Sequence, residues 1–171
     1  MKQAITVTIM CVAMMLMGTH VRADDAQSRC IRISNKWVKF WNGLNPERAS
    51  EVFTEDIEYE DVTFGVVFHG IDEFKGFAKN PFVTFPQSTF TLVNSSCSDQ
   101  QGFIEWSLNG LDSPVGLCGT GKTFTVRGVA VIEIRGNKIS RNADFWDLTT
   151  ALRPLLPEGE ECVAGLVGLG E

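Results

Sequence analysis

Thr123-Phe124-Thr125-Val126-Arg127-Gly128-Val129-Ala130-Val131-Ile132-Glu133-Ile134-Arg135 repeats with a period of two. Phe124, Val126, Gly128, Ala130, Ile132 and Ile134 fall on one face, and Thr125, Arg127 and Glu133 on the other. That is the period of a β-strand, and a strand so composed buries mainly one face. Gly128, in the middle of the apolar face, predicts a bend or bulge. Gly136-Asn137 then reads as a tight turn, with Lys138 to Asp147 as the returning strand. Upstream, Thr89 to Val93 and Phe103 to Leu108 read as two more strands, joined through the polar Ser98 to Gly102.

Before residue 88 the period is helical. Ile31, Trp37, Val38 and Trp41 share one face of a helix over Ile31 to Trp41. Asn45-Pro46 places a capping side chain before a proline in the first helical turn, which predicts a short helix to about Phe53. A third short helix is expected from Ile71 to Lys79, ahead of Pro81 and Pro86. Helices first and strands afterwards describe an α+β fold rather than alternating βαβ units. Three N-terminal helices laid over a strongly curved antiparallel sheet would leave a cavity between the layers.

The chain opens with Lys2, an apolar run from Ala4 to Met17, and Val21-Arg22-Ala23, the pattern of an export signal cleaved after Ala23. The run is shorter than the roughly 20 residues of a bilayer span. Residues 24–171 then form a single domain, with an apolar, glycine-rich tail from Val163 to Gly170. Lys2 and Arg22 leave with the signal, so 13 of the 15 basic residues remain against 21 acidic ones, a net charge of −8. A chain so acidic, with no basic stripe, is not expected to bind nucleic acid, nor a membrane after cleavage. Cys30, Cys97, Cys118 and Cys162 remain, an even number that in an exported chain points to two disulfides with three possible connectivities. Zinc is the weaker reading, because no Cys-x-x-Cys pair exists and His69 is the only histidine left. No metal and no cofactor are expected, and the mature protein is placed in the periplasm or outside the cell.

Four further stretches carry a resemblance. These are Phe53-Thr54-Glu55-Asp56-Ile57-Glu58-Tyr59-Glu60-Asp61, then His69-Gly70, then Val126-Arg127-Gly128, and finally Gly136-Asn137-Lys138-Ile139 with Asp144-Phe145-Trp146-Asp147. In this order and spacing, from about Ile33 to Leu148, the chain resembles the superfamily of SnoaL-like polyketide cyclases, ketosteroid isomerases and limonene epoxide hydrolases. The resemblance implies the cone-shaped nuclear-transport-factor-2-like fold, often dimeric, with a pocket for an apolar or polycyclic molecule.

Asp61 matches the aspartate that moves a proton beside a ketone in the isomerases, and Asp144 the general acid or base of the hydrolases and cyclases. A carboxylate in an apolar pocket has its pKa raised by desolvation, which suits it to proton transfer near neutrality. The isomerase oxyanion donors are not matched: the family tyrosine of the first helix falls near Trp37, and the second acid near Gly128 or Val129. Trp106 and Leu108 stand where the hydrolases carry the arginine and aspartate that position water, so epoxide hydrolysis by that route is disfavoured. Trp37, Trp106, Trp146 and Leu108 are instead read as ligand-facing walls, with Asn142 and Asn109 as orienting groups. His69 is a third candidate for proton transfer. Against these stand plainer roles: Asp61 as a solvated loop acid, Asp144 paired with Arg127 or Arg141, His69 as an exposed residue before a helix, and the aromatics as core.

Two functions remain open on the sequence, together with a third based on surface. One is a cofactor-free isomerase or cyclase with Asp144 and Asp61 as its acids. Another is a non-catalytic carrier of a small hydrophobic molecule, and the last is a homodimeric interaction module built on an exposed sheet face.

Overall fold

An unbroken apolar stripe makes the first helix. Over residues 26–42 (α1), Cys30, Ile33, Ser34, Trp37, Phe40 and Trp41 are buried, at the spacing of one helical face. The computed structural model describes residues 26–85, 87–116, 118–156 and 159–162. The expected export signal over residues 1–23 and the tail from 163 to 170 lie outside the described residues.

After α1 the chain makes a 3-10 turn at Pro46–Glu51, started by the Asn45 side chain accepting the Glu47 N–H at 3.0 Å. The turn stops at Glu51, and Phe53–Asp61 (β1) already belongs to the sheet. Val66–His69 (β2) returns against it, and Ile71–Thr84 (α2) follows. α2 runs on through Pro81, a turn past the expected end at Lys79. Its last turn is held from outside, because Ser113 Oγ donates to the Thr84 carbonyl at 3.2 Å and Phe85 packs edge-on against Phe124. Thr89–Cys97 (β3), Gln101–Leu111 (β4), Thr123–Arg135 (β5) and Lys138–Trp146 (β6) complete the sheet, and Leu148–Leu152 (α3) closes it.

The six strands lie in the order β2-β1-β6-β5-β4-β3, in a curved sheet that does not close. All neighbours are antiparallel except β1 and β6, which run parallel and set Tyr59 beside Asn142 and Asp61 beside Asp144. This is the cone-like α+β architecture expected, with its first strand lying where the sequence suggested the end of a helix and a loop.

The helices cover the inner face. Phe40, Phe53, Tyr59 and Phe74 form one ring cluster there, with Phe53 and Phe74 centroids 4.6 Å apart and Tyr59 and Phe74 centroids 4.5 Å apart. Phe74 is fully buried, and its truncation to alanine would remove about 3–5 kcal/mol. Of the three possible connectivities the structure has Cys30–Cys97 and Cys118–Cys162. The first ties α1 to the end of β3, and the second ties the segment after α3 to the β4–β5 loop. Among the described residues no helix is long and apolar enough to cross a membrane.

The bulge expected at Gly128 is absent. The β4–β5 register runs unbroken through Trp106↔Gly128, and the irregularity in β5 lies later, between Glu133 and Ile134. Glycine is needed at 128 for space: a Cβ there would sit 2.4 Å from Trp106 Cζ2 and 2.8 Å from the Phe145 carbonyl oxygen. The Trp106 indole therefore lies flat across the backbone of β5. Gly128→Ala is expected to destabilise the fold by about 1–3 kcal/mol, read as a lower urea midpoint at unchanged slope.

Candidate functional site

A period-two strand that carries Tyr59 and Asp61 on its inner face, beside a parallel strand that carries Asn142, Asp144 and Trp146, brings two carboxylates under the helices. Between them and the helices lies a cavity of about 330 Å³, near the lower end of the roughly 300–1,000 Å³ found for small-molecule sites. Trp37 and Trp41 of α1, Trp106 and Leu108 of β4, and Trp146 of β6 form its walls. Phe77, Asn80 and Thr84 of α2 line it from the other side, and Ser88 adds a hydroxyl before β3. All four tryptophans and the only tyrosine of the chain face this space.

Asp144 is 4 % exposed. Tyr59 Oη donates a short hydrogen bond to its Oδ2, and Trp106 Nε1 donates to its Oδ1 at 3.3 Å. Among the described residues no cation reaches it: Arg127 pairs with Glu105, and Arg141 with Glu58 and Glu60, all on the outer face of the sheet. Burial without a counter-charge pushes the Asp144 carboxyl up to about 7. The Tyr59 and Trp106 hydrogen bonds and the nearby Asn142 amide favour the anion, the adjacent Asp61 opposes it, and the balance falls near neutrality.

Asp61 is also buried, at the end of β1. Trp146 Nε1 lies 3.2 and 3.3 Å from its two oxygens, and the Phe64 N–H donates to Oδ1 at 3.1 Å. Burial raises its carboxyl above the ordinary value against these donors. The Tyr59 phenol is pushed well above its usual range by burial and by the facing Asp144, so it stays a donor at any physiological pH. Donors to both acids are thus neutral groups, and among the described residues no positive charge offsets either carboxyl.

Of the residues singled out in the sequence, Asp61, Asp144, Trp37, Trp106, Trp146 and Leu108 line one cavity. Asn142 stands behind the wall, fully buried, where its Oδ1 accepts from Trp37 Nε1 at 3.0 Å. Asn109 lies on the exposed face, accepting from Thr125 Oγ1 at 2.6 Å. His69 is exposed at the end of β2, 4.0 Å from Glu58, and takes no part in the cavity. Its position after an inward-facing Phe68 turns its side chain to the outside of the sheet, away from Asp61 and Asp144.

Tyr59 is the group that sequence reading missed. Its signal was present: it is the sole tyrosine, two residues before Asp61, and so on the same face of any strand through both.

The cone-shaped α+β fold with an apolar cavity defines the class, and the comparisons place the chain within it. The model of the SnoaL-like domain matches residues 35–142, most of the chain, and the protein belongs to that family. A protein of ketosteroid isomerase-like fold from Catenulispora acidiphila DSM 44928, in complex with trimethylamine, superposes with a TM-score of 0.66 at 22% identity, over 73% of this chain and 93% of that one. A protein proposed to be a SnoaL-like polyketide cyclase, from Jannaschia sp. CCS1, gives 0.67 at 15% identity, over 77% and 95%. A phenazine biosynthesis-related protein from Pseudomonas aeruginosa gives 0.60 at 19% identity, over 78% and 88%. At these identities the likeness is one of fold. No curated protein matches the chain.

The raised Asp144 pKa has a thermodynamic signature. Because the folded value lies above the unfolded one, the fold binds the extra proton between pH 4 and 7, and that stability is lost as pH rises through about 7. The loss from this group is about 4 kcal/mol between pH 4 and 8, set by the shift from 3.8 to about 7. The titratable groups facing Asp144 are Tyr59 and Asp61 on β1, while β4, β5 and α1 bring Trp106, Ala130 and Trp37, which do not ionise. Asp144→Asn is expected to flatten the curve of stability against pH over this window relative to the parent, as measured by urea unfolding at each pH.

Proposed function

We propose that the protein binds a small hydrophobic molecule in its cone and moves a proton on it without a cofactor, as an isomerase or cyclase does. The SnoaL-like fold and its polyketide cyclase and ketosteroid isomerase-like neighbours support a ligand-binding or cyclase-type function in general terms. One observation carries the finer reading: Asp144, poised near neutrality, faces a cavity walled mainly by aromatic and aliphatic side chains. An acid shifted this far costs stability, and such shifts cluster where proton transfer is the task.

In this reading Asp144 takes a proton from carbon or oxygen of the bound molecule and later returns it. Asp61 holds the second position of the shared proton, and Tyr59 steadies the Asp144 anion as it forms. The indole walls fix the substrate and exclude water, which keeps the carboxylate basic. The mature chain is exported after cleavage near Ala23, in keeping with two disulfides joining all four of its remaining cysteines.

A homodimer through the outer sheet face belongs to the same proposal. Val131 and Phe145 are 42% and 44% exposed there, paired across the strands with Phe103 and Val129, an apolar patch bordered by the Arg127–Glu105 ion pair. Val131→Asp is expected to convert the dimer to a monomer in sedimentation velocity, with the thermal midpoint of the isolated fold little changed.

The catalytic reading is tested on protein purified from its own host. Native mass spectrometry is expected to find a co-purifying small molecule, and Asp144→Asn to lose about 10²–10⁴-fold in its turnover at saturating concentrations of that molecule. An Asp144→Asn variant that converts the molecule as fast as the parent would remove Asp144 from the chemistry and leave a carrier.

A further inference from the structure

The rings around the cavity and the two acids at its floor match one kind of ligand better than a neutral hydrocarbon. We propose that the cavity selects small apolar molecules carrying a cationic nitrogen, a tertiary or quaternary ammonium, with the indole walls around the charge and the Asp61 and Asp144 carboxylates as its counter-ions. The inference deepens the reading of this space as a ligand site and rests on it.

Three features point the same way. The first is charge: two buried carboxylates line the space, and among the described residues lining it there is no lysine, arginine or histidine. Every partner given for the two acids is a neutral donor, so among the described residues no positive charge completes the site. The second is the nature of the walls. Tryptophan offers the strongest cation-π face, and all four of the chain's tryptophans, with its tyrosine, border this one cavity. Aliphatic side chains would give equal dryness to a neutral ligand, yet among the wall residues they are outnumbered by rings.

The third is orientation. Trp106 and Trp146 point their N–H edges at Asp144 and Asp61, which leaves their ring systems extending away from the carboxylates along the walls. Phe90 and Trp37 lean on Trp106 at centroid distances of 5.3 and 6.3 Å, and Phe64 on Trp146 at 5.1 Å, so the indoles are braced in place. A nitrogen seated in the cavity would have the carboxylate oxygens on one side, with the aromatic walls beyond the indole N–H groups around its alkyl substituents. Its alkyl groups would meet apolar surface in every direction, as a weakly hydrated ammonium requires and a primary ammonium, with three hydrogen bonds to place, does not.

Binding a fixed cation is linked to the ionisation of Asp144. Below about pH 7 the ligand must displace the proton held there, which leaves to solvent, and affinity falls with pH. A neutral ligand of the same shape has no such dependence. Besides Asp61 and Tyr59, no titratable side chain faces Asp144 from β4, β5 or α1.

The test uses the full mature chain with both disulfides intact, titrated by tryptophan fluorescence with phenyltrimethylammonium and with tert-butylbenzene, which differ by nitrogen against carbon at one atom. The cation is expected to bind at least tenfold tighter at pH 8, to weaken roughly tenfold or more by pH 5.5, and to lose its advantage in Asp144→Asn and Asp61→Asn. Equal or tighter binding of tert-butylbenzene by the parent overturns the ammonium proposal while leaving a small-molecule cavity. Cation binding that ignores both pH and the two substitutions overturns the counter-ion assignment. Failure of both probes to bind, with the fold intact by circular dichroism, removes the cavity reading itself.

Discussion

A carboxylate taken out of water without a counter-charge is the constraint around which the rest of this structure is arranged. Two buried aspartates show how differently the chain can treat the same group. Asp112 opens the β4–β5 loop and receives the Cys118 N–H at 2.9 Å and the Thr120 N–H and hydroxyl at 2.7 Å each. Burial pulls its pKa up, but these donors outweigh burial and hold it below the ordinary value. Asp144 sits mid-sheet, where every backbone N–H nearby is committed to a strand neighbour, so only side chains can reach it. It receives one phenol and one distant indole, and burial wins. The first aspartate organises a loop, while the second keeps its proton up to near neutrality.

Keeping Asp144 in that condition requires a frame that excludes water without offering hydrogen bonds, and aromatic rings do this well because they are large, rigid and apolar except at one edge. The frame is built from distant parts of the chain: α1 gives Trp37 and Trp41, β4 gives Trp106, and β6 gives Trp146. Gly128 lets the Trp106 indole lie close on the sheet, and the Trp37 indole is fixed from behind by Asn142. The Cys30–Cys97 bond holds α1 against the far edge of the sheet, so the helix that supplies two of the walls is tied at its first turns.

Much of this was legible before any coordinates. The alternation from Thr123 to Arg135 fixed which face of β5 is buried, because period two admits only one assignment of faces. Trp37 could be named as a cavity group from the helical stripe it belongs to, and the aspartate before Phe145-Trp146 from the resemblance to the SnoaL-like superfamily. What escaped was pairing between strands. Phe53 to Asp61 carries too many acids to read as a strand by itself, and it is one only because Arg141 of β6 reaches Glu58 and Glu60 on its outer side. Without that pairing Asp61 looks like a loop residue and Tyr59 has no reason to meet Asp144. Gly128 was misread for a related reason: a glycine in a strand signals missing space, and only the neighbour across the sheet tells whether a bend or a ring has taken it.

The parallel pairing of β1 with β6 has a chemical consequence beyond topology. In an antiparallel pair these two aspartates could be brought opposite one another by a hairpin; here they are neighbours because two strands from opposite ends of the domain run side by side in register, Asp61 against Asp144. The charge of Asp61 adds to burial in raising the Asp144 carboxyl. Near neutrality the proton is held on Asp144. The same desolvation that makes the empty cavity poor in charge makes it selective for whatever restores the balance.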